Sequence, residues 1–480
     1  MPGVFHRSRR LMTTAVGMAI LVVPGGPLPA AEHSPSANES APSTQPVIPK
    51  PLSAPLNKGL AWLAKHQQPD GGWSQGESSQ AEYREGEVGD KSNVADTCMA
   101  ALALLRAGST PSTGDYASNI TKAVGFVCGQ IEKASQDGLF ITDIHGTRVQ
   151  TKLGQYVDTF AAALLLAQVK DRMPDVAGCQ RVAAALDKTL AKIQKNQKED
   201  GRWADEHDGW ASVLCQSVAT KAVNMAAQRG AAVDRVVVAR AQEFASRSQT
   251  AIDAPPAATP ASGGFAARGG GFGGGGGSFG GGAAGVELYA RSASLGAFQS
   301  SANTDANRIK DLTKQHDDAR DNAQKAQKQY AVAATQPTTQ PKQLAALKHD
   351  VDQANRQLSE IDGQFASIRR NEAALKSAQS EVIDRMNDKD FVAGFGSNGG
   401  EEFLSYMNIG ESLALKGGEP FTKWDKAMTG NLNRIQNDDG SWSGQHCITG
   451  RTFCTAAALM VLTVDRSPAE VLSQPLKGSK

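Results

Sequence analysis

The chain has 480 residues, 40% of them hydrophobic and 21% charged, with a formal net charge of +1. That apolar content supports a sizeable folded core, and the near-neutral balance gives no reason to expect nucleic acid as a partner. The six cysteines are an even number and permit disulfides in an exported chain, with Cys447 and Cys454 the first pair to test, but most sit inside apolar helical runs, which favours buried thiols.

In chain order, His6 to Arg10 supply a basic start, Leu11 to Val23 an apolar run, and Leu28-Pro29-Ala30-Ala31 small residues suited to a signal peptidase. This predicts a secretory signal over residues 1–31, cleaved near Ala30-Ala31, and an exported protein, periplasmic or extracellular. The run falls short of the ~20 apolar residues of a spanning helix and no other segment qualifies, so no membrane span is expected in the mature chain. Losing the signal removes Arg7, Arg9 and Arg10 and no acid, which leaves a nearly neutral protein. Residues 32–55, rich in Ser, Pro and Ala, read as a disordered tether.

From residue 56 a repeat takes over. Gln67, Gly71 and Trp73 recur with the same spacing as Gln197, Gly201 and Trp203 and again as Gln436, Gly440 and Trp442. Each set follows an amphipathic run and precedes one filled with small apolar residues on nearly every side, such as Val94 to Ala107 or Thr452 to Val464. One unit is therefore an outer helix with a single apolar stripe, a tight Asp-Gly loop and an inner helix buried on most faces. Two further units are degenerate: one carries Gln136-Asp137-Gly138-Leu139-Phe140, and another begins near Asp234 and has only Gly263-Gly264-Phe265 as its loop. With a fifth inner helix at Glu402 to Lys416, about six helix pairs are predicted. Repeats one to four occupy 56–300, and repeats five and six occupy 390–466.

Two segments interrupt the pattern. Residues 251–284 form a glycine-rich loop with Phe265, Phe272 and Phe279 spaced seven apart; without a flanking strand or a Lys-Ser/Thr it is no phosphate loop. Over 301–389 the chain turns heptad: Ile309, Leu312, His316, Ala319, Ala323, Ala326, Tyr330 and Ala333 alternate spacings of three and four, and the pattern resumes from Leu344 to Leu375 after Pro337 and Pro341. This predicts an antiparallel coiled-coil hairpin projecting about 45 Å, either a spacer or an arm for partner binding or self-association. Residues 467–480 read as a flexible tail.

The pattern Lys58-Gly59-x-x-Trp62-Leu63-x-x-x-Gln67-x-x-x-Gly71-x-Trp73 resembles the QW repeat of squalene and hopene cyclases, found also in protein prenyltransferase β subunits. The resemblance covers roughly 56–300 and 390–465 and implies an all-α fold, an α/α toroid with six inner helices ringed by six outer ones. It also implies that the Gln, Gly and Trp of each repeat are structural staples between helix ends. The Asp-x-Asp-Asp string of triterpene cyclases and the Gly-Cys-Gly-Glu-Gln of thioester toroids are absent, and the chain has length for one toroid where cyclases use two. Prenyltransferases hold zinc through an Asp-x-Cys at the start of an inner helix and a His in a neighbouring repeat. Here Asp96-Thr97-Cys98 stands at such a start, and ring closure would bring the loop bearing His446 beside it. Asp96, Cys98 and His446 would make a three-ligand zinc site with an open position. Asp158-Thr159-Phe160 occupies the same place in the next repeat without a thiol, so the Asp-Thr pair reads equally as a helix-start device. A looser cluster of Asp143, His145, Asp205, His207 and His446 shares the loops between outer and inner helices, where surface polarity explains it as well.

Two functions follow as expectations. The first, favoured by an intact scaffold with missing catalytic strings, is a non-catalytic exported module binding a protein, peptide or apolar ligand, with the hairpin as an interaction element and no catalytic residue. The second is a terpene-cyclase or prenyltransferase-like enzyme using the toroid cavity, with zinc as its cofactor.

Overall fold

The computed structural model describes residues 47–78, 88–203, 209–253, 286–394 and 397–467, within one compact unit, Thr44–Lys480. The expected signal, most of the tether and the glycine loop, Asp205, His207 and the tail beyond Ser467 lie outside the described residues. The described chain is all-helical, with two isolated bridges, Trp73 to Asn93 and Ser78 to Gly450, and no strand.

The helices are α1 (Ala54–Lys65), α2 (Val94–Arg106), α3 (Ala117–Lys133), α4 (Arg148–Leu153), α5 (Val157–Val169), α6 (Val176–Lys195) and α7 (Ser212–Gln228). They continue as α8 (Arg235–Asp253), α9 (Glu287–Thr335), α10 (Pro341–Arg385), α11 (Lys389–Ala393), α12 (Gly400–Lys416), α13 (Gly418–Ile435) and α14 (Arg451–Leu462). Runs such as VDTFAAALLLAQV in α5 are apolar all round and so must be covered on every face. That demand is met in cyclic order: α2 packs on α5, α5 on α7, α7 on α9, α9 on α12, α12 on α14, and α14 returns to α2. Every residue of α2 is buried as a result.

Amphipathic helices cover this inner set from outside. In α3 the buried residues Ile120, Ala123, Val124, Val127, Cys128 and Ile131 form one stripe, which packs on α2 and α5. Likewise α1 lies on α2 and α14, α6 on α5, α8 on α7 and α9, and α13 on α12 and α14. Between α9 and α12 the covering position goes to the last turns of α10, where Asn371, Ala378, Gln379 and Val382 are buried. Asn371 Nδ2 donates to the Phe298 carbonyl (3.3 Å) and Gln379 Nε2 to Ser412 Oγ (2.9 Å).

The segment expected as a separate insertion is thus continuous with its neighbours. α9 begins buried, from Leu288 to Thr304, and runs without a break to Thr335. No glycine or proline falls between Ala297 and Thr335, so nothing stops the helix where burial ends. α10 returns antiparallel: Arg308 Nη2 meets Gln364 Oε1 (2.9 Å) and His316 Nε2 lies 3.2 Å from Asp362. A second apolar cluster of Leu312, Ala319, Ile361 and Ile368, with Leu358 and Phe365 against it, holds the two helices together away from the main core. No disulfide joins any of the six cysteines, and all but Cys179 are buried.

The three complete loops share one geometry. Trp73 Nε1 donates to the Leu63 carbonyl (2.9 Å), Trp203 Nε1 to Ile193 (2.8 Å) and Trp442 Nε1 to Leu432 (2.8 Å), each in the last turns of the preceding outer helix. The glutamine amide bridges outward: Gln67 Nε2 donates to Gly71 O (2.8 Å) and Asn119 O (2.9 Å), Gln197 Nε2 to Gly201 O (3.4 Å) and Val237 O (3.0 Å), and Gln436 Nε2 to Gly440 O (2.8 Å) and Pro55 O (2.9 Å). Each glutamine therefore ties its loop to the first turns of another outer helix, and Gln436 joins the last repeat to the first. Gly71, Gly201 and Gly440 have φ of +90°, +87° and +94°. A Cβ at Gly71 would sit 2.6 Å from the Lys122 carbonyl oxygen and one at Gly440 2.8 Å from Lys58, so the positions exclude side chains both sterically and conformationally.

Gln436→Ala removes both amide bonds and leaves two part-buried carbonyls without them, an expected loss of about 1–3 kcal/mol. Trp442→Ala, at a fully buried site, should cost about 3–5 kcal/mol through the cavity it opens. Urea unfolding of both variants checks the ordering, and a Trp442→Ala protein as stable as wild type would contradict it.

Candidate functional site

Buried acids gather at the starts of the inner helices. A helix start offers free amides and the positive end of its dipole, so an acid there has a structural reason to be buried. Asp158 in the first turn of α5 accepts from the Ala95 amide of α2 (2.9 Å) and from Gln150 Nε2 (2.6 Å). Asp96 in the first turn of α2 accepts from Asn93 Nδ2 (2.7 Å). Glu401 and Glu402 open α12, where Glu401 Oε2 accepts from the Ile448 amide (3.2 Å) and Glu402 Oε2 from Gly399 (2.9 Å). The Tyr289 hydroxyl donates to Glu402 Oε1.

The loop before α14 completes the densest part of this region. His446 Nε2 contacts the Ser397 carbonyl (2.6 Å) and lies 3.5 Å from Glu402 Oε2. Cys447 takes a left-handed backbone conformation, φ 54°, uncommon for a residue with a Cβ and typical of sites where the surroundings dictate the chain path. Ligand atoms of Glu401, His446 and Cys447 all lie within 4.8 Å of one another. Glu401 Oε1 is buried and has no hydrogen-bond partner among the described residues.

Burial dominates the electrostatics. It raises Glu401 to about 8, helped by neighbouring Glu402. It likewise raises Asp96 to about 7, with Asp158 adding to the effect and Asn93 opposing it, and Asp158 to about 6 against its hydrogen bond from Gln150. The Cys447 thiol is pushed up to about 12 by burial and by the charge of Glu401. Burial thus favours the protonated form of these carboxyls.

A different chemistry fills the middle of the inner set. All six inner helices line a cavity of about 70 Å³, whose walls include Arg106, Gln168, Lys221, Gln299, Asn408 and Glu411. Glu411 bridges Arg106 (2.6 Å) and Lys221 (2.5 Å), and Lys221 Nζ also donates to Asn408 Oδ1 (2.6 Å). Burial alone would raise Glu411, but Lys221 and Arg106 hold its carboxyl down at about 2, while burial lowers Lys221 against the pull of Glu411.

The zinc set expected from sequence is corrected by this geometry. His446 lies with Glu401, Glu402 and Cys447, and among the described residues no three-donor group contains Asp96 or Cys98. Cys98 is fully buried, its thiol raised by that burial with Asp158 and Cys128 as neighbours. The reason is packing: the loop before α14 turns His446 toward the start of α12, where the Ser397 carbonyl and Glu402 engage it. Asp143 and His145 are exposed, with His145 edge-on to Phe140 (4.7 Å between centroids). Sequence reasoning passed over Glu401, Glu402 and Tyr289. A signal for the two glutamates was present, since Glu401-Glu402 stands at the start of an inner helix where two other repeats carry Asp96 and Asp158.

Asp96 gives a pH test. Its folded pKa lies above the ordinary carboxylate range, so the folded chain keeps a proton that the unfolded chain has lost, and its contribution to stability is full at low pH and disappears as pH rises through about 7. Asp96→Asn, which stays neutral, should therefore lose less stability than wild type between about pH 5 and pH 8 in denaturant unfolding. Equal slopes for the two proteins would contradict this. No protein family, no curated protein and no solved structure matches the chain.

Proposed function

We propose that this protein is an exported α/α toroid that serves as a non-catalytic binding or scaffold module, with the α9–α10 pair acting as a coiled-coil arm for partners. The observation that carries this reading is the cavity shared by the six inner helices. At about 70 Å³, with Arg106, Lys221 and Glu411 in its walls, it is far from the 300–1,000 Å³ apolar pocket typical of organic ligands. An isoprenoid chain finds no room there, and the charges of Arg106, Lys221 and Glu411 interrupt the apolar wall of Leu164, Met225 and Met407, which weighs against the terpene-cyclase or prenyltransferase alternative and against an apolar ligand in that cavity. The cyclic packing of the inner helices and the Gln436 link back to Pro55 support the toroid. The separate apolar cluster of the arm supports its role as an element held out from the ring.

A second reading is favoured by one observation, the convergence of Glu401, His446 and Cys447. Carboxylate, imidazole and thiol suit a zinc ion with one open position, and the buried Glu401 Oε1 without a hydrogen-bond partner fits such a role. Bound there, zinc would supply Lewis-acid chemistry. The chain would hold it through these three side chains, with Glu402 and Ser397 orienting His446.

Titration calorimetry with a C15 isoprenoid diphosphate is expected to show no saturable binding, and micromolar binding would overturn the scaffold reading in favour of the enzyme. Replacing residues 321–355 by a short glycine-serine turn should leave the urea midpoint of the main core unchanged and abolish co-purification of partners; partners retained without the arm would remove its role. Metal analysis should find zinc in stoichiometric amount, lost in Cys447→Ser, if the second reading holds.

A further inference from the structure

Charge along the exposed side of the α9–α10 arm is segregated. Between Asp321 and Asp350, the stretch that contains the turn, the chain carries Lys325, Lys328, Lys342 and Lys348 and no acid. The adjoining turns, 311–321 and 350–362, hold eight acids against three bases, Lys314, Arg320 and Arg356. On α9 the reversal falls on one face. Asp318, Asp321, Lys325 and Lys328 follow at spacings of three, four and three, so they form a single helical stripe. All four are exposed. The ion pairs of this region involve His316, Asp317, Arg320 and Asp362, and among the described residues none involves these four.

The order acid, acid, base, base is its own complement when reversed. Laid antiparallel on a second copy of itself about a twofold axis between Asp321 and Lys325, the stripe sets Lys325 opposite Asp321 and Lys328 opposite Asp318, twice over by symmetry. A parallel or shifted register sets like charges together and is penalised. Val332, 58% exposed, and Lys314, also exposed, extend the stripe at its two ends by the next spacings of four and fall opposite each other about that axis, so no like charges are added. An isologous interface of this kind is the commonest form of homodimer contact.

We propose that the partner of the α9 stripe is a second copy of this chain, bound antiparallel through Lys325 and Lys328 of each copy and Asp321 and Asp318 of the other. The proposal rests on the reading of the hairpin as a docking arm and names its occupant. The contact is short, about 27 Å from Lys314 to Val332 at 1.5 Å per residue, and dominated by exposed charge, so the association is weak and falls with salt.

Sedimentation equilibrium of the full chain, in a concentration series to about 0.5 mM at low ionic strength, tests it. The expected result is a mass rising toward the dimer at low salt and returning to monomer at about 0.5 M salt, where the Debye length is only a few ångström. Lys325→Glu with Lys328→Glu should weaken dimerisation at least tenfold, and Asp318→Lys with Asp321→Lys should do the same, with helix content unchanged by circular dichroism in both. An equimolar mixture of the two double variants should recover the wild-type dimer fraction. A wild-type chain that stays monomeric throughout, a dimer that survives the lysine reversal, or a mixture that fails to recover would each overturn the pairing. If the chain is monomeric while the arm-shortened variant still loses a partner, the pairing fails and the docking reading stands.

Discussion

The helix ends that meet at the repeat loops of this protein are largely buried, and a buried end must find partners for amides and carbonyls that the helix itself leaves open. Two devices answer this demand. At the C-terminal ends of outer helices, a tryptophan indole gives its N–H to a carbonyl of the last turns, at Leu63, Ile193 and Leu432. At the starts of inner helices, acids take the place of water for free amides, as Asp158 does for Ala95. The glutamines of the loops join one outer helix to another, and the link from Gln436 to Pro55 spans nearly the whole chain length. Tight approach at Gly71 and Gly440 makes these contacts compatible with the close packing around them.

The acids that solve this problem create another. A carboxylate removed from water resists ionisation, and burial with Glu402 beside it raises Glu401 to about 8. The region around Tyr289, Glu402, His446 and Cys447 is therefore both a set of helix-start partners and the densest group of reactive side chains among the described residues. In the middle of the inner helices the opposite balance holds: Glu411 keeps its charge because Arg106 and Lys221 flank it. Such buried pairs add little net stability compared with apolar packing, but breaking one leaves an unmatched charge. Their presence sets charge into the wall of a cavity that is already too small for an isoprenoid chain.

The long arm follows from helix continuity. α9 contributes its first turns to the main core and its remainder to a second one, and α10 does the reverse. An outer helix missing from the repeat pattern is thereby supplied by the returning end of the arm. The same two helices thus build both the core and the arm.

Periodicity and spacing alone carried the all-helical class, the alternation of amphipathic and fully apolar helices, and the antiparallel partner of α9, because these depend on local pattern and on turn residues such as Pro341. The special status of Gly71, Gly201 and Gly440 was legible too, because the same Gln-to-Trp spacing recurs around each. What the sequence could not decide was which side chains meet. Asp96 and Cys98 look like a ligand pair in the chain, yet the His446 expected to join them is held at the start of α12. Glu401, His446 and Cys447 are far apart in the chain or face different ways within it, and only the packing of α12 against α14 brings them together. The boundary of the arm was equally invisible, since heptad spacing reports that a helix buries one stripe and is silent about what that stripe is buried against. Local order came from the chain's own periodicity, whereas the convergence of chemistry waited on long-range packing, where the geometry of one helix end is decided by its neighbours.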